Sequence, residues 1–178
     1  MAGVLRLSRT ALCIAIFAGI TALATAAAAN DAQTKGLFLY NLAKYVSWPE
    51  GTFAGDDAPI VIGVVGDSEF VRGLRELVEG HEAQGRALEI KEIESAEAAV
   101  VHMVYFPAED LTQLRAQSAP LDGKPVIRVA ENKRFAKVGD VGFILRGGRV
   151  QFFVNAENTR RSGLRLGSQI LRLASGVE

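Results

Sequence analysis

Cysteine is almost absent from the chain. Its 178 residues include one, Cys13, set in an apolar run near the N-terminus. One thiol cannot staple a domain to itself, so an apolar core must hold the fold. Histidine is scarce as well: His81 and His102 stand apart in mid-chain, with no HExxH spacing and no cysteine beside them. That argues against structural and catalytic zinc sites, which need clustered nitrogen and sulfur ligands. The chain also lacks an excess of either charge, with 20 Lys+Arg against 20 Asp+Glu. A balanced surface offers no broad electrostatic footprint for nucleic acid or for an anionic membrane. Repeats, low-complexity tracts and long linkers are missing too. The Pro, Gly and Asp clusters are short enough to be turns.

What is present begins with Arg6 and Arg9, followed by the uncharged run TALCIAIFAGITALATAAAA and then Asn30 and Asp31. A positive start, an apolar middle and an alanine-rich end make a secretory signal peptide, with cleavage expected near Ala29. The competing reading is an uncleaved anchor, since the run approaches the roughly 20 residues needed to span a bilayer. Its alanine-rich second half is only weakly driven into hydrocarbon. Cys13 has the apolar core after it rather than before it, unlike a lipid-attachment cysteine. Without residues 1–29, eighteen basic groups face twenty acidic ones, and the exported form is close to neutral. Residues 30–178 are long enough for one domain with its own core.

Periodicity outlines that domain. Phe38, Leu42, Tyr45 and Val46 share one helical face, and Pro49 disfavours helix at Trp48, so the spacing predicts a helix ending there. Pro59–Val65 is a continuous β-branched run, as in a strand buried on both faces. Asp67 or Ser68 can cap the next helix, whose face is Phe70, Leu74, Leu77 and Val78. ALEIKEI alternates like a half-exposed strand, VVHMVYF returns to a buried run, and PVIRVA is another strand. A short helix with Leu111 and Leu114 lies between the last two. NKRFAKVG reads as a helical turn. In VGFILRGGRVQFFVN, Gly147 and Gly148 separate two apolar runs, which predicts a tight hairpin with positive φ at both glycines. A last helix is expected from about Glu157 to Ala174. Together these give an α/β domain with a mixed sheet of about five to six strands, helices packed on it, and a C-terminal hairpin plus helix.

Reactive constellations are weak. Gly66-Asp67-Ser68 after a strand resembles the nucleophile block of GDS-type esterases, but a serine nucleophile needs a histidine base, and none stands near the C-terminus. Helix capping is the simpler reading of Asp67 and Ser68. Gly63 and Gly66 lack the lysine or the further glycines of a nucleotide loop. Asp56 and Asp57 read as solvated turn acids. No catalytic residue, metal ligand or cofactor site is assigned. Two features are candidate interaction surfaces. Arg160, Arg161 and Arg165, joined by Arg146 and Arg149 of the hairpin, could form a basic patch for an acidic partner; the alternative is a solvated face. Trp48, the only tryptophan, is either a core plug or a partly exposed anchor of the kind enriched at binding hot spots.

The order of the motifs resembles the YfiR/HmsC family of small periplasmic proteins. The resemblance rests on KGLFLYNLAKYVSWP with Lys44, Trp48 and Pro49, on VIGVVGD, on Gly85-Arg86, and on Phe135 and Gly139 before the hairpin. It continues with Gly148, Arg149, Val150, Phe152 and Asn155 in the hairpin and with Leu164, Ser168, Leu171, Leu173 and Ala174 at the end. It implies regulation without catalysis: a repressor that binds the periplasmic sensing part of an inner-membrane diguanylate cyclase, lowering cyclic di-GMP and biofilm formation. An outer-membrane lipoprotein that captures the repressor, and a homodimer of the repressor, are further implied associations. The alternative is a periplasmic small-molecule-binding accessory of a two-component sensor kinase. Two positions depart from the family pattern. Val101 stands where a cysteine is expected, which excludes disulfide gating, and Phe153 occupies a hairpin position where an acidic residue is common.

Overall fold

The computed structural model describes residues 29–96 and 100–177. All but the last residue of the expected signal peptide, Cys13 included, lies outside the described residues. The continuous apolar runs become the centre of a parallel sheet, because such strands are covered on both faces. Strand β2 (Ile60–Val65) lies between β4 (Arg86–Ile93) and β5 (Met103–Phe106), parallel to both. β6 (Ile127–Ala130) and β7 (Val141–Arg146) extend the parallel set, and β8 (Arg149–Val154) returns antiparallel to β7. The return runs through Gly147 (φ 56°) and Gly148 (φ 70°), the left-handed pair a two-residue hairpin requires. These six strands match the expected number. Two-residue strands β3 (Glu82–Ala83) and β10 (Gly176–Val177) add one at each edge, giving eight in the order β10-β8-β7-β6-β5-β2-β4-β3.

Strand alternation sorts the core into two layers. Ile60, Ile62, Val64, Met103, Tyr105, Ile127 and Val129 face helix α1 (residues 29–45) and helix α2 (Ser68–Val78). Leu39, Leu42 and Ala43 of α1 and Phe70, Val71 and Leu74 of α2 close that layer. Phe38 sits 5.1 Å from Phe143 and 5.3 Å from Phe152, so α1 docks on the hairpin. Burying each such side chain contributes about 1.5–3 kcal/mol. On the opposite face Val61, Val104, Phe106 and Ala130 pack with Leu114 of α3 (Leu111–Ser118) and with Leu121 and Phe135 from two 3-10 turns. Asp67, rather than Ser68, caps α2: its carboxylate accepts from the Phe70 N–H at 3.0 Å.

Two helix boundaries differ from the expected ones. α1 stops at Tyr45, ahead of Trp48, because Val46–Ser47 forms a short strand, β1, paired antiparallel with β9 (Arg165–Leu166). The expected helix from Glu157 to Ala174 is divided into α4 (Ala156–Arg161), β9 and α5 (Ser168–Leu173). The break is at Gly163, whose φ of 74° leaves the helical region and whose Cα faces Pro49; an added Cβ would lie 3.3 Å from the proline ring. A contact made across the fold thus overrides a local helical period.

Candidate functional site

The chain has already left α1 for β1 when it reaches Trp48, and the indole ring just ahead of Pro49 is put to structural use. The Trp48 indole N–H donates to the His102 carbonyl at 3.1 Å, and its ring meets Phe53 edge-on at 5.6 Å. Phe53 in turn is sandwiched. The His102 imidazole stacks on one face at 4.4 Å, and the Arg86 guanidinium lies 4.1 Å from the ring centroid. Arg86 also donates to the carbonyls of Gly55, Asp56 and Ala58, so one side chain from β4 pins the whole turn after Pro49. Trp48 is half-buried in this cluster and packs against the core. A pocket of about 270 Å³ opens beside it, lined by Thr52, Val101, His102, Leu121, Lys124 and Val126 among others. It falls just under the roughly 300 Å³ at which small-molecule pockets usually begin.

His102 is buried and satisfied. Its Nδ1 accepts from the Val61 N–H at 2.9 Å, which makes the ring a neutral acceptor at that nitrogen. Burial pushes its pKa below the ordinary 6.5; a hydrogen bond with the Thr52 backbone acts the other way, and the positive charges of Arg86 and Lys91 add to the lowering. The folded state therefore binds fewer protons than the unfolded chain just below pH 6.5. Stability from this site is complete above that pH and is lost as pH falls toward the folded-state value, at up to about 1.4 kcal/mol per pH unit. Urea titrations at pH 7.5 and 5.5 check this. The acid loss should shrink in His102→Asn, whose amide oxygen still accepts from Val61 and does not titrate; an equal loss in both proteins would refute the assignment.

The arginines proposed as one basic patch occupy two places. Arg146 and Arg149 face each other across the hairpin tip, both exposed. Arg160 and Arg161 are exposed on α4, which begins beyond the other end of β8, roughly 20 Å away at about 3.3 Å per strand residue. Asn158 fixes that placement by donating to Asp140, just before β7 begins. The two sites also differ electrostatically. Glu157 pairs with Arg160 and lies 3.9 Å from Arg161. Among the described residues the ion pairs include neither Arg146 nor Arg149. Arg165, exposed on β9, is separate from both pairs in sequence and element.

The reactive candidates are spent on local contacts. Ser68 Oγ donates to Glu92 at 2.6 Å, so its neighbour is a carboxylate and not an imidazole. His81 is exposed, with Nδ1 2.9 Å from the Glu79 carbonyl. Among the described residues no group of three or more His, Cys, Asp or Glu is placed to hold a metal ion, and no helix is long and apolar enough to cross a membrane.

One constellation escaped sequence reasoning. Arg128, in the centre of β6, is 1% exposed, and Asp140 is fully buried beside it. Asp140 accepts from Arg128 Nε at 2.9 Å, from Nη2 at 3.2 Å and from the Arg128 backbone N–H at 2.9 Å. Asn158 Nδ2 supplies a further donor at 3.0 Å, and Asp122 pairs with Nη1. Burial opposes the charge on Arg128, but Asp140 and Asp122 together hold its pKa above the ordinary value. The available signal was an arginine amid PVIRVA. A family model described as YfiR/HmsC-like matches residues 32–175.

Proposed function

The chain belongs to the YfiR/HmsC-like family, and from that membership we propose that it is a periplasmic binding protein that restrains an inner-membrane diguanylate cyclase through its periplasmic sensor domain. Membership alone makes it a YfiR-type regulatory protein, in a family that is periplasmic. The observation that carries the proposal is the extent of the match, which takes in the elements from α1 to α5 and not one isolated motif. In this reading the repressor lowers cyclic di-GMP and biofilm production. An outer-membrane lipoprotein relieves the repression, and the repressor acts as a monomer or a homodimer.

Such a regulator needs only different affinities for two states of its target, because a ligand shifts an equilibrium by no more than that difference. Moving a cyclase from 1:99 to 99:1 takes about a 10⁴-fold preference, or about 5.5 kcal/mol. A few well-placed charged pairs with an apolar contact are of that order. The groups we put forward for it are Trp48, Arg146, Arg149, Arg160 and Arg161. Crosslinking in intact cells followed by mass spectrometry tests the reading. The expected product joins this chain to a membrane protein that ends in a GGDEF-type cyclase domain. A product ending in a kinase domain would replace the reading with the sensor-kinase accessory.

A further inference from the structure

The hairpin tip carries an electrostatic conflict. Arg146 and Arg149 are direct cross-strand partners on one face of the sheet, and like charges in that position destabilise a strand pair. Among the described residues no carboxylate pairs with either, whereas Glu157 attends both arginines of α4. The same face carries half-buried Ile144 and Phe153 and exposed Gln151, the residues that alternate with the core-facing Phe143, Leu145, Val150 and Phe152. The cover on this side of the sheet reaches Gly142, where the Lys133–Lys137 turn lies directly against the backbone: an added Cβ would stand 2.3 Å from the Asn132 carbonyl oxygen. Beyond that contact the hairpin face is half-open, with an apolar floor and two unneutralised guanidinium groups.

We propose that this face of the β7–β8 hairpin is the docking surface for an acidic segment of a protein partner, whose carboxylates bridge Arg146 and Arg149 while its apolar residues cover Ile144 and Phe153. The inference rests on the regulatory reading above, in which the chain acts by gripping another protein. Guanidinium groups bind carboxylates through paired, charge-assisted hydrogen bonds, and a bound carboxylate turns the cross-strand repulsion into a shared attraction. An anionic membrane is the weaker occupant. Two cations on a chain of zero net charge fall short of the roughly four to eight Lys/Arg that make a polybasic membrane segment.

The test uses the full chain, returned to a strain that lacks it, with Arg149→Glu, with Arg146→Gln plus Arg149→Gln, and with Arg72→Glu plus Arg115→Glu as a charge-reversal control on the exposed sides of α2 and α3. Two readouts are taken: melting temperature of the purified proteins, and intracellular cyclic di-GMP as expression is titrated. Arg149→Glu places an opposite charge across from Arg146, so it should melt higher than wild type. It should nonetheless need about tenfold more expression for half-repression, as expected for the loss of one charged pair. The glutamine pair should show the same loss, and the control should repress like wild type. Repression by Arg149→Glu at wild-type dose would overturn the docking surface and leave the regulatory reading standing. Failure of the wild-type chain to lower cyclic di-GMP would overturn the regulatory reading, and the surface with it. Arginine-dependent co-sedimentation of wild type with phosphatidylglycerol vesicles would assign the face to lipid and reject the protein partner.

Discussion

Asp140→Ala is expected to destabilise the fold by about 3–5 kcal/mol, the usual cost of leaving a buried charge without its partner. Arg128 is closed off from solvent, and Asp140 meets it through two guanidinium nitrogens and the backbone N–H of the same residue. Removing the carboxylate strands all three donors, while the Asn158 amide keeps its bond to the Gly139 carbonyl. Asp122 remains, but its side chain is 68% exposed and cannot replace a buried bidentate partner. Arg128→Met combined with Asp140→Ala should cost less than the sum of the two single changes, because the charge leaves with its partner. The part of the loss that stays is the orphaned Arg128 N–H, about 1–3 kcal/mol. Urea denaturation of wild type, both singles and the double gives the coupling directly. Additivity within about 0.5 kcal/mol would mean that the two groups do not interact.

Gly142→Ala should be the other severe change, with a loss of about 3 kcal/mol or failure to accumulate folded protein. A methyl group there would sit 2.3 Å from the Asn132 carbonyl oxygen, 3.0 Å from the Ala136 nitrogen and 3.1 Å from the Lys133 carbonyl oxygen. These are backbone atoms of one 3-10 turn and its cap, so no side chain can swing aside, and the turn has to lift from β7. That turn holds Phe135, which is fully buried in the second core layer. The same substitution at Gly73 provides the contrast. Gly73 lies exposed in α2 with nothing within 4 Å of an added Cβ, and alanine there should stabilise by about 0.5–1 kcal/mol. Thermal unfolding of the two variants should therefore move in opposite directions. A shift in the same direction would place the 3-10 turn away from Gly142.

The sequence patterns that proved readable are those decided within a few residues. β2 and β5 were visible as unbroken apolar runs because both faces of a central parallel strand are covered. The hairpin was visible because Gly147-Gly148 supplies the only backbone geometry its turn accepts. What stayed hidden depends on residues distant in sequence. Leu166, Ile170 and Leu173 keep a helical spacing, yet the helix is broken because Gly163 turns against Pro49 and Arg165–Leu166 pairs with β1. Arg128 stands in a segment read only as a strand, and no spacing rule shows that the strand is buried or that Asp140 turns inward to meet it. The arginines of the basic patch were right there in composition. Their division between the hairpin tip and α4 follows from the length and direction of β8, which composition does not encode.

The pairing of β1 with β9 sets an order of assembly. Val46 meets Leu166, the Gly167 N–H donates to the Tyr45 carbonyl at 2.8 Å, and the first helix lies on a hairpin made from residues 141–154. Closing such long loops is slow, since the entropy of joining distant segments is lost before their contacts form. α1 can settle early on α2 and β2, but its contacts with the hairpin and with β9 wait for residues 141–167. The first helix is thus completed by the last third of the chain, and a truncation that removes β9 should loosen α1 although none of its own residues is touched.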